Sequence, residues 1–415
     1  MNGGAPSWRA ARTLAWRAGQ LAPTPAVEVA LGGADGLRLV RDIHSRVDLP
    51  TADASAMDGW AVAGAGPWVV GEPVRIGSAP GAALGRGRAR AITTGGAVPP
   101  GTTAVVRQEH ALLVPGTQAT PGIPADPWML TLQEGRTAPE RGADIRRRGE
   151  ELTAGTLLAE AGRRVHPALI ALAAAGGVDT VDVAAPPEVE LIVTGDEVVD
   201  RGAPPPGRVR DAFGPSLPPL LRRLGAGIVR VRRVADDPDR LAAAIASSTA
   251  HLIVTTGGTA AGRSDHVQRV VVAGGGELVF AGVAMRPGHP VLLGRTGAGR
   301  PILGLPGNPL AAFACLLSFA PPLLEGTAGL PISEPAPSAD AGVARHARDT
   351  LLRPVRIEAG VPALTGRDGS AMLAGLAGSD GFVVVPPDGV PLLLPMPGAD
   401  AAAQPASFVA SSLSA

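Results

Sequence analysis

Val189-Glu190-Leu191-Ile192-Val193-Thr194-Gly195-Asp196-Glu197 is the stretch on which the fold turns. Val189–Val193 reads as a buried β-strand, and Gly195 ends it in a turn that carries two acids. The same arrangement recurs twice downstream. His251–Thr255 runs into Thr256-Gly257-Gly258, and Pro301–Leu305 runs into Pro306-Gly307-Asn308-Pro309. Parallel strands present their C-terminal ends along one edge of an open sheet, and ligands of such folds settle in the crevice there. Peptide N–H groups of glycine turns and helix N-termini attract phosphate. The carboxylates of Asp196, Glu197 and Asp265 would repel it unless a cation intervened, so the pattern points to a phosphorylated ligand and a divalent metal.

Around these turns the chain alternates as α/β domains do. Helical spacing is predicted around Ser216–Leu224 and over Pro238–Ser247, Asp265–Ala273 and Leu310–Leu324, with strands at Ile228–Val234 and Ile302–Leu305. Pro309 suits the first position of its helix, with Asn308 as the cap. The Pro186-Pro187 pair marks the start of this region, and the Pro/Ser-rich Gly329–Asp340 reads as a linker after it. Upstream, Ser7–Gly19 is predicted helical, and Val27–Asp42 a second helix broken by Gly32-Gly33. Between Ala61 and Leu132, short apolar runs separated by Gly and Pro predict a small all-β domain. Val165–Ala175 resumes helical spacing, Leu351–Leu394 is β-rich, and the Ala/Ser tail is expected to fray.

A chain of 415 residues is expected to hold two to four domains. Its 37 basic residues balance 37 acidic ones, so no global field recruits nucleic acid or an anionic membrane. Every basic residue is Arg; Lys and Tyr are both absent, so no site can use a compact lysine ammonium. The single Cys315 lies in an apolar helical run and excludes a disulfide framework within one chain. No signal peptide and no uninterrupted apolar span stand out, and a cytoplasmic protein is expected.

Ser55-Ala56-Met57-Asp58-Gly59-Trp60-Ala61-Val62 resembles the signature of MoeA-type molybdopterin molybdenumtransferases, a family that includes the E domain of gephyrin. Further matches follow in the family's order: Ile92-Thr93-Thr94-Gly95-Gly96, Ala104 to Glu109, Ile145 to Glu150, Thr194 to Glu197, Thr255 to Gly258, and Gly304 to Pro309. One such motif is weak; six in register are strong. The resemblance implies a multidomain α/β protein. A discontinuous elongated helical domain would span 1–60 and 145–185, with an inserted β domain over 61–144. A parallel-sheet molybdopterin-binding domain would span 186–328, followed by a C-terminal β domain over 335–398 and a flexible tail over 399–415. It further implies a homodimer with the site shared between subunits, and possible contact with the upstream molybdopterin adenylyltransferase. The implied reaction takes adenylylated molybdopterin and molybdate, releases AMP with Mg²⁺, and places molybdenum on the dithiolene.

Carried onto this chain, the resemblance gives Asp58, Thr94, Glu197, Asp236, Asp265 and Arg286 as catalytic candidates. Asp58, Glu197 and Asp265 are the metal candidates, because hard oxygen ligands suit Mg²⁺. Gly257, Gly258, Gly307, Asn308, Arg353 and Ser379 are the binding candidates. Each has a plainer explanation: Asp58 suits a turn, and Asp236 or Asp237 would cap the helix at Pro238. Asp265 would favour a helix dipole, and the glycines suit tight turns. Arg353 taken alone is a surface residue, and Ser379 a turn residue.

The pattern breaks at the family's lysine-bearing stretch, here Ala281-Gly282-Val283-Ala284-Met285-Arg286-Pro287-Gly288-His289-Pro290. Its three lysines correspond to Gly282, Arg286 and His289. The family's Asp-Ser/Thr-Asn reads Asp211-Ala212-Phe213, its Ser-Val-Gly after Gly-Gly has become Thr259-Ala260-Ala261-Gly262, and an expected Asp is Glu151. A slower insertase is the expectation; the alternative is a weakened paralogue that binds molybdopterin or acts as a scaffold.

Overall fold

The computed structural model describes residues 4–116, 128–257 and 266–398. Gly258, Asp265 and the expected tail over 399–415 lie outside the described residues. The chain divides into two compact units. One comprises residues up to 27, 162–164 and 182 onward; the other comprises 28–161 and 165–181. The expected four-domain plan remains our proposal within this division.

The first unit is built on a six-stranded sheet. In spatial order the strands are Val229–Val234, Val189–Thr194, Leu252–Thr256, Pro301–Leu305, Leu292–Arg295 and Glu277–Ala281. The first four are parallel, and Leu292–Arg295 runs antiparallel to both of its neighbours, Pro301–Leu305 and Glu277–Ala281. The antiparallel pair was not foreseen, because these short runs are punctuated by glycine. Period-two alternation sends Leu191 and Val193 to one face, where they pack with Leu217, Leu221 and the helix Pro309–Thr327. Ile192 goes to the other face, against Leu241 and Ile245 of helix Pro238–Ser247 and Val267 and Val271 of helix His266–Ala273. Helices on both faces bury the sheet, and full burial of each such side chain contributes about 1.5–3 kcal/mol.

Helix Pro309–Thr327 is long and apolar enough to cross a membrane, yet 89% of its apolar window is buried inside the protein. Helix Trp8–Gln20 lies directly on it. A Cβ on Gly19 would lie 2.2 Å from the Leu323 carbonyl, and one on Gly326 would lie 2.2 Å from that of Trp16, so only glycine admits this approach. Trp8 Nε1 donates to Ser318 Oγ at 2.9 Å across the same seam. The unit is completed by antiparallel strands Thr350–Glu358, Gly381–Val385 and Leu392–Pro395. Strand Met285–Arg286 pairs in parallel with the start of Thr350–Glu358 and so joins this second sheet.

The second unit holds a six-stranded sheet in the stretch where short apolar runs lead one to expect β structure. Gly59–Val62 lies between Ala104–Arg107 and Arg88–Ile92, and Trp68–Gly71, Met129–Leu132 and Ala111–Val114 extend the sheet. The helix expected over Val27–Asp42 does not form. Ala26–Ala30 is a strand followed by a single 3₁₀ turn, Leu31–Gly33. The alternation of Ala-Val-Glu-Val-Ala has the strand period, and Gly32-Gly33 costs a helix about 1 kcal/mol per glycine.

Candidate functional site

The three glycine turns of the first unit meet at the C-terminal edge of its parallel strands. Thr194 Oγ1 donates to the Thr256 carbonyl at 2.6 Å, and Gly257 N–H donates to the Leu305 carbonyl at 3.0 Å. Gly257 has φ +82°, and a Cβ there would stand 3.0 Å from Thr194 Oγ1. A Cβ on Gly307 would come 3.7 Å from Gly257 Cα. Small residues therefore let the second and third turns touch, while Gly307 and Asn308 stay exposed above them. The hydroxyls of Thr255 and Thr256 are buried at the strand end with no hydrogen-bond partner among the described residues.

Acids rim this edge. Asp196 and Glu197 are exposed after Gly195, whose φ is +125°. Asp196 Oδ1 accepts the Asp236 N–H at 3.1 Å, which ties the first strand's turn to the second's. The sequence leaves the helix cap open between Asp236 and Asp237. Asp237 takes it, accepting the Arg240 N–H at 2.9 Å and releasing the Asp236 carboxylate. Asn308 stands at the cap position of helix Pro309–Thr327, but its side chain makes no cap bond and donates to Ser370 Oγ at 3.2 Å instead.

In the second unit Asp58 lies between Met57 and the strand Gly59–Val62. Its Oδ1 accepts the Thr94 N–H at 2.7 Å and the Thr94 hydroxyl at 3.0 Å. These bonds, the peptide one foremost, hold the Asp58 carboxyl below its ordinary range. Gly59 is required, since a Cβ would lie 2.0 Å from the Val106 carbonyl. Neighbouring motif residues are scaffolding. Arg107 grips Asp144 through two bonds of 2.9 and 3.0 Å, and the Asp144 carbonyl receives the Ala56 N–H. Arg147 and Arg148 pair with Asp53 and Asp48, and Glu151 pairs with Arg146. The structure thus brings Asp58 and Thr94 together in one unit, and the Thr194, Thr256 and Pro306 turns together in the other.

Residues 8–177 match the family described as MoeA N-terminal region (domain I and II), and residues 190–326 match the "Probable molybdopterin binding domain". Molybdopterin molybdenumtransferase 2 of Mycobacterium tuberculosis is 34% identical over 328 residues, covering 74% of this chain and 76% of its own length. This chain belongs to the molybdopterin molybdenumtransferase family. Membership makes it a transferase of molybdenum-cofactor biosynthesis. The family's Synechococcus elongatus member is 34% identical over 309 residues, 69% of this chain and 72% of its own. A solved molybdopterin biosynthesis MoeA protein from Pyrococcus horikoshii shares 26% identity. It covers 94% of this chain and 99% of its own, with a TM-score of 0.69.

In this molybdopterin molybdenumtransferase-family chain, the departures from the family's lysines have a structural side. Gly282 is buried with φ +91°, a conformation that disfavours any L side chain. Arg286 is exposed, and its Nε donates to Asp349 Oδ2 at 2.6 Å. His289 Nδ1 bonds the Val283 carbonyl at 2.8 Å, which spends one ring nitrogen on its own loop. Asp211 is buried, its Oδ1 accepts the Phe213 and Gly214 N–H groups, and it pairs with Arg233. Arg353 pairs with Asp368 at 2.8 Å. Ser379 is buried, and its hydroxyl donates to the Leu376 carbonyl. Ser370 was missed by sequence reasoning, since nothing in Asp368-Gly369-Ser370 marks it. The structure sets it between Asn308, through the 3.2 Å bond, and the loop that carries Asp368.

The crevice suits a Mg²⁺ ion by its donor chemistry. Asp196, Glu197 and Asp236 offer hard carboxylate oxygens at one edge, whereas among the described residues no three His, Cys, Asp or Glu side chains could hold a metal alone. Mg²⁺ is ordinarily held by one or two carboxylates together with water and substrate phosphate.

Proposed function

We propose that this protein is a molybdenum insertase, taking adenylylated molybdopterin and molybdate and releasing AMP in a Mg²⁺-dependent step. The main support is the meeting of the Thr194–Glu197, Thr256–Gly257 and Pro306–Asn308 turns at one sheet edge rimmed by Asp196, Glu197 and Asp236. Peptide N–H groups of these turns, with the N-terminus of helix Pro309–Thr327, would hold the pterin phosphate. Glu197 and Asp236 would hold the ion, which when bound neutralises phosphate charge. Asp58, fixed by Thr94, would face the adenylate, while Arg286 and Arg353 would receive molybdate as an oxyanion. In the overall reaction water enters the phosphoanhydride and AMP leaves, while the two dithiolene sulfurs bind molybdenum and their thiol protons leave with one molybdate oxygen as water. Gly258 and Asp265 belong to this proposal by sequence alone. So do the cytoplasmic setting, the homodimer with a shared site, and contact with the adenylyltransferase.

A binding or scaffold paralogue is the second reading, favoured by Gly282, which carries no charge and whose φ of +91° disfavours any side chain. Incubation of purified protein with adenylylated molybdopterin, Mg²⁺ and molybdate separates the two. Release of AMP, with cofactor that reconstitutes an apo-enzyme, supports the insertase. Tight binding without AMP overturns it.

A further inference from the structure

We infer that His266 is a positioning residue for Asp236, and that Arg269 fixes the tautomer in which it acts. This rests on Asp236 serving the site as proposed above. His266 opens helix His266–Ala273, and its side chain is only 15% exposed. Arg269, three residues on, places Nη2 at 2.7 Å from His266 Nδ1. A guanidinium only donates, so Nδ1 must accept with its lone pair, and the ring proton resides on Nε2. That nitrogen is the one turned to the crevice, 3.7 Å from Asp236 Oδ1.

Asp236 is suited to receive such a donor. Its neighbour Asp237 caps helix Pro238–Ser247, so the Asp236 carboxylate is not drawn into the helix. Its backbone is fastened through the N–H bond to Asp196 Oδ1, but its side chain remains 38% exposed. Carboxylate rotation is therefore the freedom left at this position, and the imidazole N–H is placed to restrict it. An approach of about 0.8 Å would shorten the 3.7 Å separation to an ordinary N–H···O bond. Arg269, His266, Asp236 and Asp196 thus form one line from the outer helix to the first glycine turn. A residue that acts through a carboxylate in this way governs rate more than binding, and losing such support typically costs about 10–100-fold.

The test measures kcat and KM for AMP release from adenylylated molybdopterin, with thermal melting of each variant alongside. His266→Met fills the space without a donor, and His266→Gln keeps an N–H near the Nε2 position. We expect His266→Met to lower kcat about 10-fold, with KM changed less than about 2-fold. His266→Gln should return to within about 3-fold of the parent. Asp236→Asn should lose at least as much as His266→Met, and the double variant no more than Asp236→Asn alone. Equal losses in His266→Met and His266→Gln would reduce the ring to packing and overturn the inference. An impaired Asp236→Asn beside an unimpaired His266→Met would overturn the inference while leaving the proposed function standing. A parental rate in Asp236→Asn would instead remove Asp236 from the site, and the inference with it.

Discussion

Thr194 Oγ1 donates to the Thr256 carbonyl at 2.6 Å, so the first glycine turn is fastened to the second by a side chain rather than by the sheet ladder. Thr194→Val keeps the β-branched shape and removes the donor. A loss of about 1 kcal/mol in stability is expected, with weaker pterin-phosphate binding. Urea unfolding and calorimetric titration with molybdopterin check the two effects separately.

Gly257 and Gly307 touch, but their backbones differ. Gly257 has φ +82° and a Cβ would meet Thr194 Oγ1 at 3.0 Å, whereas Gly307 has room for one in ordinary contact. Gly257→Ala should cost about 1–2 kcal/mol and abolish most AMP release. Gly307→Ala should melt within 1 °C or so of the parent, at roughly unchanged stability, while raising KM. Denaturation and steady-state kinetics on the pair distinguish strain from obstruction.

Asp58 accepts two bonds from Thr94, which favour its ionised form. Its folded pKa lies below the ordinary aspartate value of about 3.9. The contact therefore stabilises the fold above that value and is lost as pH falls through the lower, folded pKa. Carboxyl NMR should show Asp58 titrating below its reference, and Thr94→Ala, which keeps the peptide N–H, should raise it only part of the way.

Restoring a lysine at Gly282 is the direct test of the missing charge, and the backbone opposes it. With φ +91° at a buried position, Gly282→Lys should lower stability by about 1–2 kcal/mol. Urea midpoints will show it, and AMP release should not rise. Arg286→Ala leaves Asp349 without its 2.6 Å partner and should raise the molybdate requirement instead, read from the molybdate dependence of cofactor reconstitution.

Much of the α/β unit was legible locally. Helix Pro238–Ser247 was located to the residue, because its apolar spacing and the acid before Pro238 are both local signals. The antiparallel strands Glu277–Ala281 and Leu292–Arg295 were not, since their pairing with each other and with Pro301–Leu305 is a tertiary fact. Among site residues, the glycine turns announced themselves by following strands. Ser370 and His266 did not, because neither sits in a distinctive pattern, and each matters through a partner distant in the chain.

The sequence by itself determined the period of the parallel strands and their helices and the places where glycine turns follow strands. These depend on side-chain alternation and backbone freedom over a few neighbouring residues. Tertiary structure alone decided which of Asp236 and Asp237 caps the helix and that Asn308 bonds Ser370 rather than its own helix. It also decided that Gly282 occupies a buried turn whose φ of +91° opposes a lysine. Asn308 reaches Ser370 across 62 residues and the Asp236 N–H reaches Asp196 across 40, separations over which local propensity carries no information.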